Sequence, residues 1–357
     1  MSIWQWVDEF HQRAYEAQDN ERLHLIELFF ASNRAEDIDP NWQLSLLNEG
    51  LTLARRLNEP WWELCFTHLH LLTLMADKGE YQKALHEAVQ ATVAARKPAM
   101  RDCPQRICVH EDLIRAYMGI DPLGYAEQIE QALAYMEQEV SPKVECYHCL
   151  LGKRAQFELK KGNTEKALAI ELNRMARLEA KAEEDKEDYR VNVYLGLCSI
   201  VFRMQDWAKL AEYARLGMQA IERSYWSWTA HRFIYAAWQA CAAAYQDQLP
   251  QAKRYARQAR TQAERWSGKP PTDYYDALCT YYQKLNEPAR ALELRRQQLS
   301  ELADTGQFAT ECQCRLEICR LLVQLGHPTT QAIAEARAAA QQLKHPERIL
   351  NHLETLC

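Results

Sequence analysis

One short motif recurs along the chain and limits the folds that this sequence can adopt. The segment GEYQKALHEAV begins at Gly79, and related segments begin at Gly162 (GNTEKALAIEL) and at Asn286 (NEPARALELRR). When the segments are aligned, equivalent positions recur about every 41 residues. These positions are Ala84, Gln128, Ala167, Leu210, Ala252, Ala291 and Ala332. Such a period predicts stacked helical hairpins, because a single hairpin cannot bury its own apolar faces without a neighbour.

The rest of the sequence favours an all-α fold. Nearly every segment between turns carries apolar residues three and four positions apart, which is the period of an amphipathic helix. No segment of useful length alternates apolar and polar residues as a half-buried strand does. Gly, Pro, Asn and Asp residues mark the ends of about seventeen or eighteen predicted helices.

Small residues in this pattern have a packing explanation. An alanine early in the second helix of a hairpin lets two helices approach closely. Small residues recur four positions later, on the same helix face, at Ala88, Ala132, Ala214, Ala256 and Ala336. We interpret three cysteines of the first helices, Cys198, Cys279 and Cys319, as small buried packing residues as well. Side chains expected to wedge into the turns are Tyr81, Tyr125, Trp207 and Leu249.

The pattern G-x-Y-x-x-A-L-x-x-A, preceded by helices such as YLGLCSIVFRM and YDALCTYYQKL, resembles the tetratricopeptide repeat. The repeat length is closer to a longer variant found in bacterial regulators than to the standard period of about 34 residues. HEAT-like repeats share the longer period, but the Gly-aromatic-Ala turn favours the tetratricopeptide type.

The resemblance implies a right-handed superhelical solenoid of about eight helical hairpins that forms a single domain over residues 1–357. Residues 1–20 and 344–357 are expected to form terminal capping helices around the repeats, which span residues 21–343. The hairpins are expected to begin near Glu21, Pro60, Pro104, Pro142, Glu187, Trp226, Pro271 and Gln307.

Composition and termini exclude several classes of protein. The N-terminal segment MSIWQWVDEFHQR has no basic start and no long apolar run, so we expect neither a signal peptide nor a transit peptide. No segment reaches the roughly 18 to 20 apolar residues that a membrane span requires. Twelve cysteines in 357 residues are too sparse for a disulfide scaffold. We therefore predict a cytoplasmic protein with free thiols.

No catalytic motif such as H-E-x-x-H, a P-loop or G-x-S-x-G occurs in the sequence. Cys146 and Cys149 could share a helix face as two zinc ligands, but a structural zinc site needs four. The nearby candidates Cys103, Cys108 and His110 lack a second paired spacing. We therefore predict no enzymatic activity, no metal site and no cofactor.

In tetratricopeptide arrays the first helix of each hairpin lines the concave surface, where peptides commonly lie. By position, the resemblance places ten residues of this chain there: Gln156, Lys160, Asn192, Ser199, Arg203, Tyr245, Asp276, Lys284, Arg320 and Gln324. The paired Lys and Asn residues of the chaperone-tail carboxylate clamp are not present as a set. We therefore do not predict recognition of an acidic C-terminal tail through such a clamp.

A basic stripe follows one predicted second helix: Lys253, Arg254, Arg257, Arg260 and Arg265. A solvated helix face is the simplest interpretation, an acidic protein partner the second, and nucleic acid the third. The formal net charge of the whole chain is -6, which argues against a protein devoted to nucleic acid.

These observations favour a non-enzymatic scaffold or regulatory subunit that binds another protein or a peptide on a concave helical surface. The alternative is a sensor module whose superhelix tightens around a peptide or small effector and so controls a protease or a transcription factor. Nucleic-acid binding through the basic stripe is the least favoured function. Nothing in the sequence identifies the partner or the oligomeric state.

Overall fold

The computed structural model describes residues 2–33, 39–142, 144, 146–180, 186–224 and 229–356. Within these ranges the chain forms eighteen α-helices and no strand. The helices are α1 (Ile3–Glu16), α2 (Asn20–Asn33), α3 (Pro40–Arg56), α4 (Pro60–Leu72), α5 (Tyr81–Ala95), α6 (Cys108–Ile120), α7 (Ala126–Glu139), α8 (Cys146–Lys161), α9 (Thr164–Glu179), α10 (Lys186–Arg203), α11 (Trp207–Arg223), α12 (Thr229–Tyr245), α13 (Leu249–Ala263), α14 (Thr272–Lys284), α15 (Pro288–Leu302), α16 (Phe308–Gln324), α17 (Thr330–Ala340) and α18 (Glu347–Glu354). A π-helical turn, Thr73–Asp77, extends α4, and a 3-10 turn, Pro98–Met100, follows α5.

The helices stack as the sequence predicts. Consecutive helices from α2 to α17 contact one another as eight successive pairs in the described ranges, and each pair contacts the next. The all-α solenoid of tetratricopeptide-like hairpins is therefore confirmed. The predicted start of the sixth hairpin at Trp226 lies outside the described residues, and so does most of the acidic loop before Pro40.

Left-handed backbone conformations mark the tight turns within the hairpins. Positive φ angles occur at Gly79 (69°), Gly162 (89°), Asp247 (58°), Asn286 (57°) and Gly326 (67°). Glycine adopts this conformation without a steric penalty, and Asn and Asp tolerate it better than other residues. This requirement explains why the sequence motif begins with one of these residue types.

The N-terminal helix is packed as firmly as the repeats. Turns of the same left-handed type join α1 to α2 at Gln18 and α3 to α4 at Asn58. In α1, the ring centroids of Trp6 and Phe10 lie 4.5 Å and 5.2 Å from that of Trp62 in α4. Because these rings are buried together, α1 belongs to the hydrophobic core of the first helices.

The small residues of the motif lie where neighbouring helices touch. Ala84, Ala167, Ala252 and Ala291 are completely buried, and so is Leu210. Each therefore occupies a helix contact in which a larger side chain would have to displace its neighbours.

The wedge residues of the turns follow the prediction in two cases and depart from it in a third. A Cβ atom on Gly119 would lie only 2.2 Å from the ring of Tyr81, so this tyrosine packs directly on the backbone of α6. Trp207 stacks on Tyr245 with ring centroids 4.0 Å apart. The prediction for Leu249 was wrong, because it is the first residue of α13 and its side chain is 42% exposed.

Helix α12 is the most enclosed element of the described structure. Its residues from Phe233 to Ala244 are buried, except Gln239, which is half-buried. Five other helices of the stack reach it or its immediate neighbours, and α10, α11, α13 and α14 contact it directly. The alanine-rich sequence of α12 allows this close approach on several sides.

The solenoid also closes on itself. The backbone N–H of Tyr81 donates to the carbonyl of Thr305 at 3.1 Å, and the N–H of Lys269 donates to the carbonyl of Asp77 at 3.2 Å. Helix α6 also packs against α16. These contacts join the second and third hairpins to the last two, so the stack of hairpins forms a closed ring.

Two side chains extend this closure. The carboxylate of Asp121 accepts a hydrogen bond from the backbone N–H of Lys344 at 3.1 Å. The Nζ atom of Lys344 lies 3.8 Å from the ring centroid of Tyr125. We refer to these contacts, together with the two backbone hydrogen bonds and the α6–α16 contact, as the seam.

The packing explanation predicts unequal effects for two leucine substitutions on α5. Ala84→Leu adds volume at a completely buried position and should lower the free energy of unfolding by about 1 to 3 kcal/mol. Lys83→Leu should be nearly neutral, because the Lys83 side chain is 57% exposed. Chemical denaturation of both variants measures the difference. Equal destabilisation would show that the assigned packing face of α5 is wrong.

The seam can be tested through Asp121, which is buried and accepts hydrogen bonds from the N–H groups of Gly124 and Lys344. Asp121→Ala should lower the free energy of unfolding by about 1 to 3 kcal/mol, because buried N–H donors lose their acceptor. It should also speed hydrogen exchange at the amides of Lys344 and Tyr81.

The matched control is Asp206→Ala, which removes the N-terminal cap of α11 but no contact of the seam. This variant should lose about 1 kcal/mol of stability and leave exchange at the Lys344 amide unchanged. If both variants change exchange at Lys344 to the same extent, the seam does not behave as a separate contact.

Candidate functional site

Helices α10 and α14 meet on the inner surface, which we define as the surface of the first helices that faces the inside of the ring. The hydroxyl of Ser199 donates to the carboxylate of Asp273 at 2.9 Å, although 74 residues separate them in sequence. One turn further along both helices, the guanidinium of Arg203 lies 3.9 Å from the carboxylate of Asp276. The two helices therefore approach one another across α12.

Lys160 of α8 lies within electrostatic range of these side chains. Its side chain is exposed to solvent, yet desolvation by the surrounding protein and the charge of Arg203 lower the pKa of its ammonium group. Asp273 and Asp276 act in the opposite direction. The ammonium therefore points into a recess between helices and not into open solvent.

The two carboxyl groups of α14 have different environments. Burial and the neighbouring Asp276 raise the pKa of Asp273, and the hydrogen bond from Ser199 only partly offsets them. Asp276 is neutralised by Arg295, whose guanidinium lies 2.7 Å from its second oxygen. We refer to the five inner-surface residues Lys160, Ser199, Arg203, Asp273 and Asp276 as the inner polar cluster.

Four of these five residues were among the ten predicted from sequence, and Asp273 was missed. A signal for it was present, because Asp273 and Asp276 are three residues apart and such residues share a helix face. Its role depends on the approach of α10, which no feature of the local sequence reveals.

A second charged cluster lies on the inner surface of α4, α6 and α8, and the sequence did not indicate it. The carboxylate of Glu111 pairs with Arg115 at 3.2 Å and with Lys153 at 3.3 Å. His68 and Asp112 form a separate pair at 2.6 Å. Burial alone would raise the pKa of Glu111, but the two cations outweigh it and hold that pKa at about 2. The cations of this cluster are therefore already balanced by protein carboxylates.

Two of the other predicted residues lie on the same helices as the inner polar cluster. The amide oxygen of Gln156 accepts a hydrogen bond from Lys153 at 3.4 Å. The side chain of Asn192 donates to the backbone carbonyl of Asp188 on its own helix at 3.2 Å. Gln156 is exposed and Asn192 is half-buried, so the first is more accessible to a ligand.

The remaining four predicted residues lie away from the cluster. Tyr245 stacks on Trp207, and the ammonium of Lys284 lies 5.3 Å from the Tyr245 ring centroid. Arg320 pairs with a glutamate one turn earlier on its own helix. Gln324 is exposed at the end of α16. The structure therefore does not bring the ten predicted residues together as one site.

The basic stripe lies on the exposed face of α13. All five of its residues are exposed, whereas Ala252, Ala256 and Ala259 on the opposite face are buried. The guanidinium of Arg260 donates to the hydroxyl of Tyr282 at 3.1 Å. Because α13 is a second helix, the stripe is separate from the inner polar cluster, and its role stays a prediction.

The cysteines that were considered as zinc ligands lie at the N-termini of α6 and α8. The thiols of Cys108 and Cys146 hydrogen-bond to one another, and burial raises the pKa of the Cys149 thiol to about 12. Within the described residues, no three His, Cys, Asp or Glu side chains are arranged to hold a metal ion. Cys198, Cys279 and Cys319 are buried, as their interpretation as packing residues predicts.

Across the described ranges, every helix is too short or too polar to cross a lipid bilayer.

Comparison with known proteins supports the fold. The apo form of the quorum sensor NprR from B. thuringiensis aligns with a TM-score of 0.55 and 13% sequence identity, over 99% of this chain and 93% of that chain. NprR in complex with its cognate peptide NprX aligns with a TM-score of 0.56 and 14% identity, over 91% and 95% of the two chains. No protein-family model and no curated protein matches the sequence. At these identities the likeness shows a shared tetratricopeptide-like helical-repeat fold.

The His68–Asp112 pair should make stability depend on pH. Burial alone would lower the pKa of His68, but the charge and hydrogen bond of Asp112 outweigh it and raise that pKa. A raised pKa in the folded state stabilises the fold fully below the unfolded pKa of about 6.5. This stabilisation is lost as pH rises through the folded pKa.

The comparison of wild type with His68→Gln measures this contribution. The wild type should exceed the variant most in free energy of unfolding below about pH 6.5, and the difference should shrink toward higher pH. Denaturation in urea over this pH range provides the measurement. A difference that stays constant with pH would mean that the pair does not bind its proton more tightly in the folded state.

Proposed function

We propose that this protein is a non-enzymatic regulatory module that binds a peptide, or an extended segment of a partner protein, on the inner surface of its helical ring. The observation that carries the proposal is the inner polar cluster, to which three first helices contribute side chains. Rigid helices hold these groups in place before a ligand arrives, which lowers the ordering cost of binding.

The fold likeness supports this proposal. The two NprR structures align with nearly the whole chain, and one of them contains a cognate peptide. The inner polar cluster lies on first helices, which are the helices that line the concave surface in tetratricopeptide arrays. The same surface is thus available in this chain for a ligand of similar shape.

The closed ring favours a peptide over a folded partner. The contacts of the seam limit the width of the opening, and Ser199 and Asp273 already join α10 to α14 across the inner surface. An extended chain is narrow enough to enter such a space and can form many weak contacts along it. A globular domain would have to open the ring. This argument favours the peptide-sensing form of the function over a general scaffold.

The proposal can be tested with a soluble library of random heptapeptides. The wild-type protein should retain a subset of peptides, each of which binds with one-to-one stoichiometry in calorimetry. A retained peptide should stabilise the folded protein by about 2.7 kcal/mol when free peptide exceeds the Kd about 100-fold. Thermal unfolding with and without the peptide measures this stabilisation.

A matched pair of variants locates the binding surface. Gln156→Trp places a bulky ring on the inner surface of α8 and should weaken binding of the selected peptides at least about tenfold. Gln258→Trp makes the same change on the exposed face of α13 and should leave binding intact. The proposal fails if no peptide is retained, or if the two variants weaken binding equally.

A further inference from the structure

We infer that the inner polar cluster recognises a carboxylate of the bound peptide, which it holds between the ammonium of Lys160 and the guanidinium of Arg203. This inference rests on the proposed function, because it specifies the chemistry of the ligand at the same surface. It is based on which charges of the inner surface are paired and which are not.

Lys160 and Arg203 differ from the other cations of the inner surface. Lys153 and Arg115 lie 3.3 Å and 3.2 Å from the carboxylate of Glu111. By contrast, no carboxylate in the described part of the chain lies within ion-pair distance of Lys160. Arg203 has one contact of this kind, and at 3.9 Å it is too long for a hydrogen bond. Both cations are therefore free to bind an added anion.

The charges around these two cations do not cancel. Lys160, Arg203 and Arg295 supply three cationic groups, and α14 supplies only two carboxyl groups. Arg295 lies 2.7 Å from Asp276 and uses most of the charge of that carboxylate. Burial and Asp276 disfavour the charged form of Asp273. At least one positive charge is left over, and it lies in a partly enclosed space where an unpaired charge is costly.

A carboxylate matches this surplus in charge and geometry. A guanidinium offers two parallel N–H donors to a carboxylate, and an ammonium adds a point charge from another direction. Both side chains are exposed, so a ligand in the ring can reach them. The Ser199 hydroxyl is engaged by Asp273. Because Asp273 and Asp276 would repel an anion placed beside α14, the bound carboxylate belongs on the side of α8 and α10.

A peptide carries carboxylates at its C-terminus and on Asp and Glu side chains, and the experiment separates these two sources. Two heptapeptide libraries of identical composition are prepared, one with free C-termini and one with C-terminal amides. Wild-type protein selects from both libraries, and mass spectrometry identifies the retained peptides. Enrichment only among free C-termini assigns the site to the terminal carboxylate. Enrichment of Asp and Glu in both libraries assigns it to a side chain.

Variants then test the two cations with the best retained peptide. Lys160→Met and Arg203→Met should each weaken its binding at least about tenfold, because each removes a charge-assisted contact. Lys160→Arg should retain most of the affinity. Lys253→Met, which removes an exposed lysine of the outer stripe, is the matched control and should not change the affinity. Circular dichroism and thermal unfolding verify that each variant is folded.

The same measurements distinguish failure of this inference from failure of the proposed function. If peptides bind but show no preference for carboxylates, and Lys160→Met binds them as tightly as wild type, the carboxylate site is wrong and peptide binding stands. If folded wild-type protein retains no peptide from either library, both proposals are overturned. Replacement of the essential carboxylate in the selected peptide by its amide should reproduce the loss that Lys160→Met causes.

Discussion

The close approach of neighbouring helices at small side chains determines the rest of this structure. A helix contact requires short side chains where two backbones come nearest, and a completely buried alanine such as Ala84 or Ala252 occupies such a point. Because these residues recur at a nearly constant interval, each hairpin meets the next with similar geometry. Repetition of one small rotation then produces a curved stack, and curvature brings distant hairpins back into contact.

Closure changes the physical character of the inner surface. In an open solenoid, charged side chains on the first helices would face bulk water and would be screened from one another. Here the seam and the contact between α10 and α14 enclose them, so burial shifts the pKa values of Lys160, Asp273 and Glu111. One charged cluster is balanced within the protein, and the other keeps a positive surplus. This difference in pairing is what separates a structural network from a candidate ligand site.

Sequence reasoning succeeded where short-range geometry decides the outcome. Helix periodicity and turn residues such as Gly79 and Asn286 were sufficient to predict the hairpins, since each depends on a few consecutive residues. Positional analogy also placed Lys160 and Arg203 on the inner surface. It did not find Asp273, and it wrongly assigned Leu249 to the inside of a turn. Both outcomes depend on neighbours that are distant in sequence.

The amino-acid sequence by itself determined the all-α repeat architecture, the faces on which the small residues pack and the type of surface that the first helices present. These properties follow from local periodicity and from the conformations that each residue type tolerates. Only the tertiary structure decided that the stack closes through Tyr81 and Thr305, and that α10 meets α14 across α12. The physical reason is that small rotations accumulate over several hairpins, and no local sequence signal reports their sum.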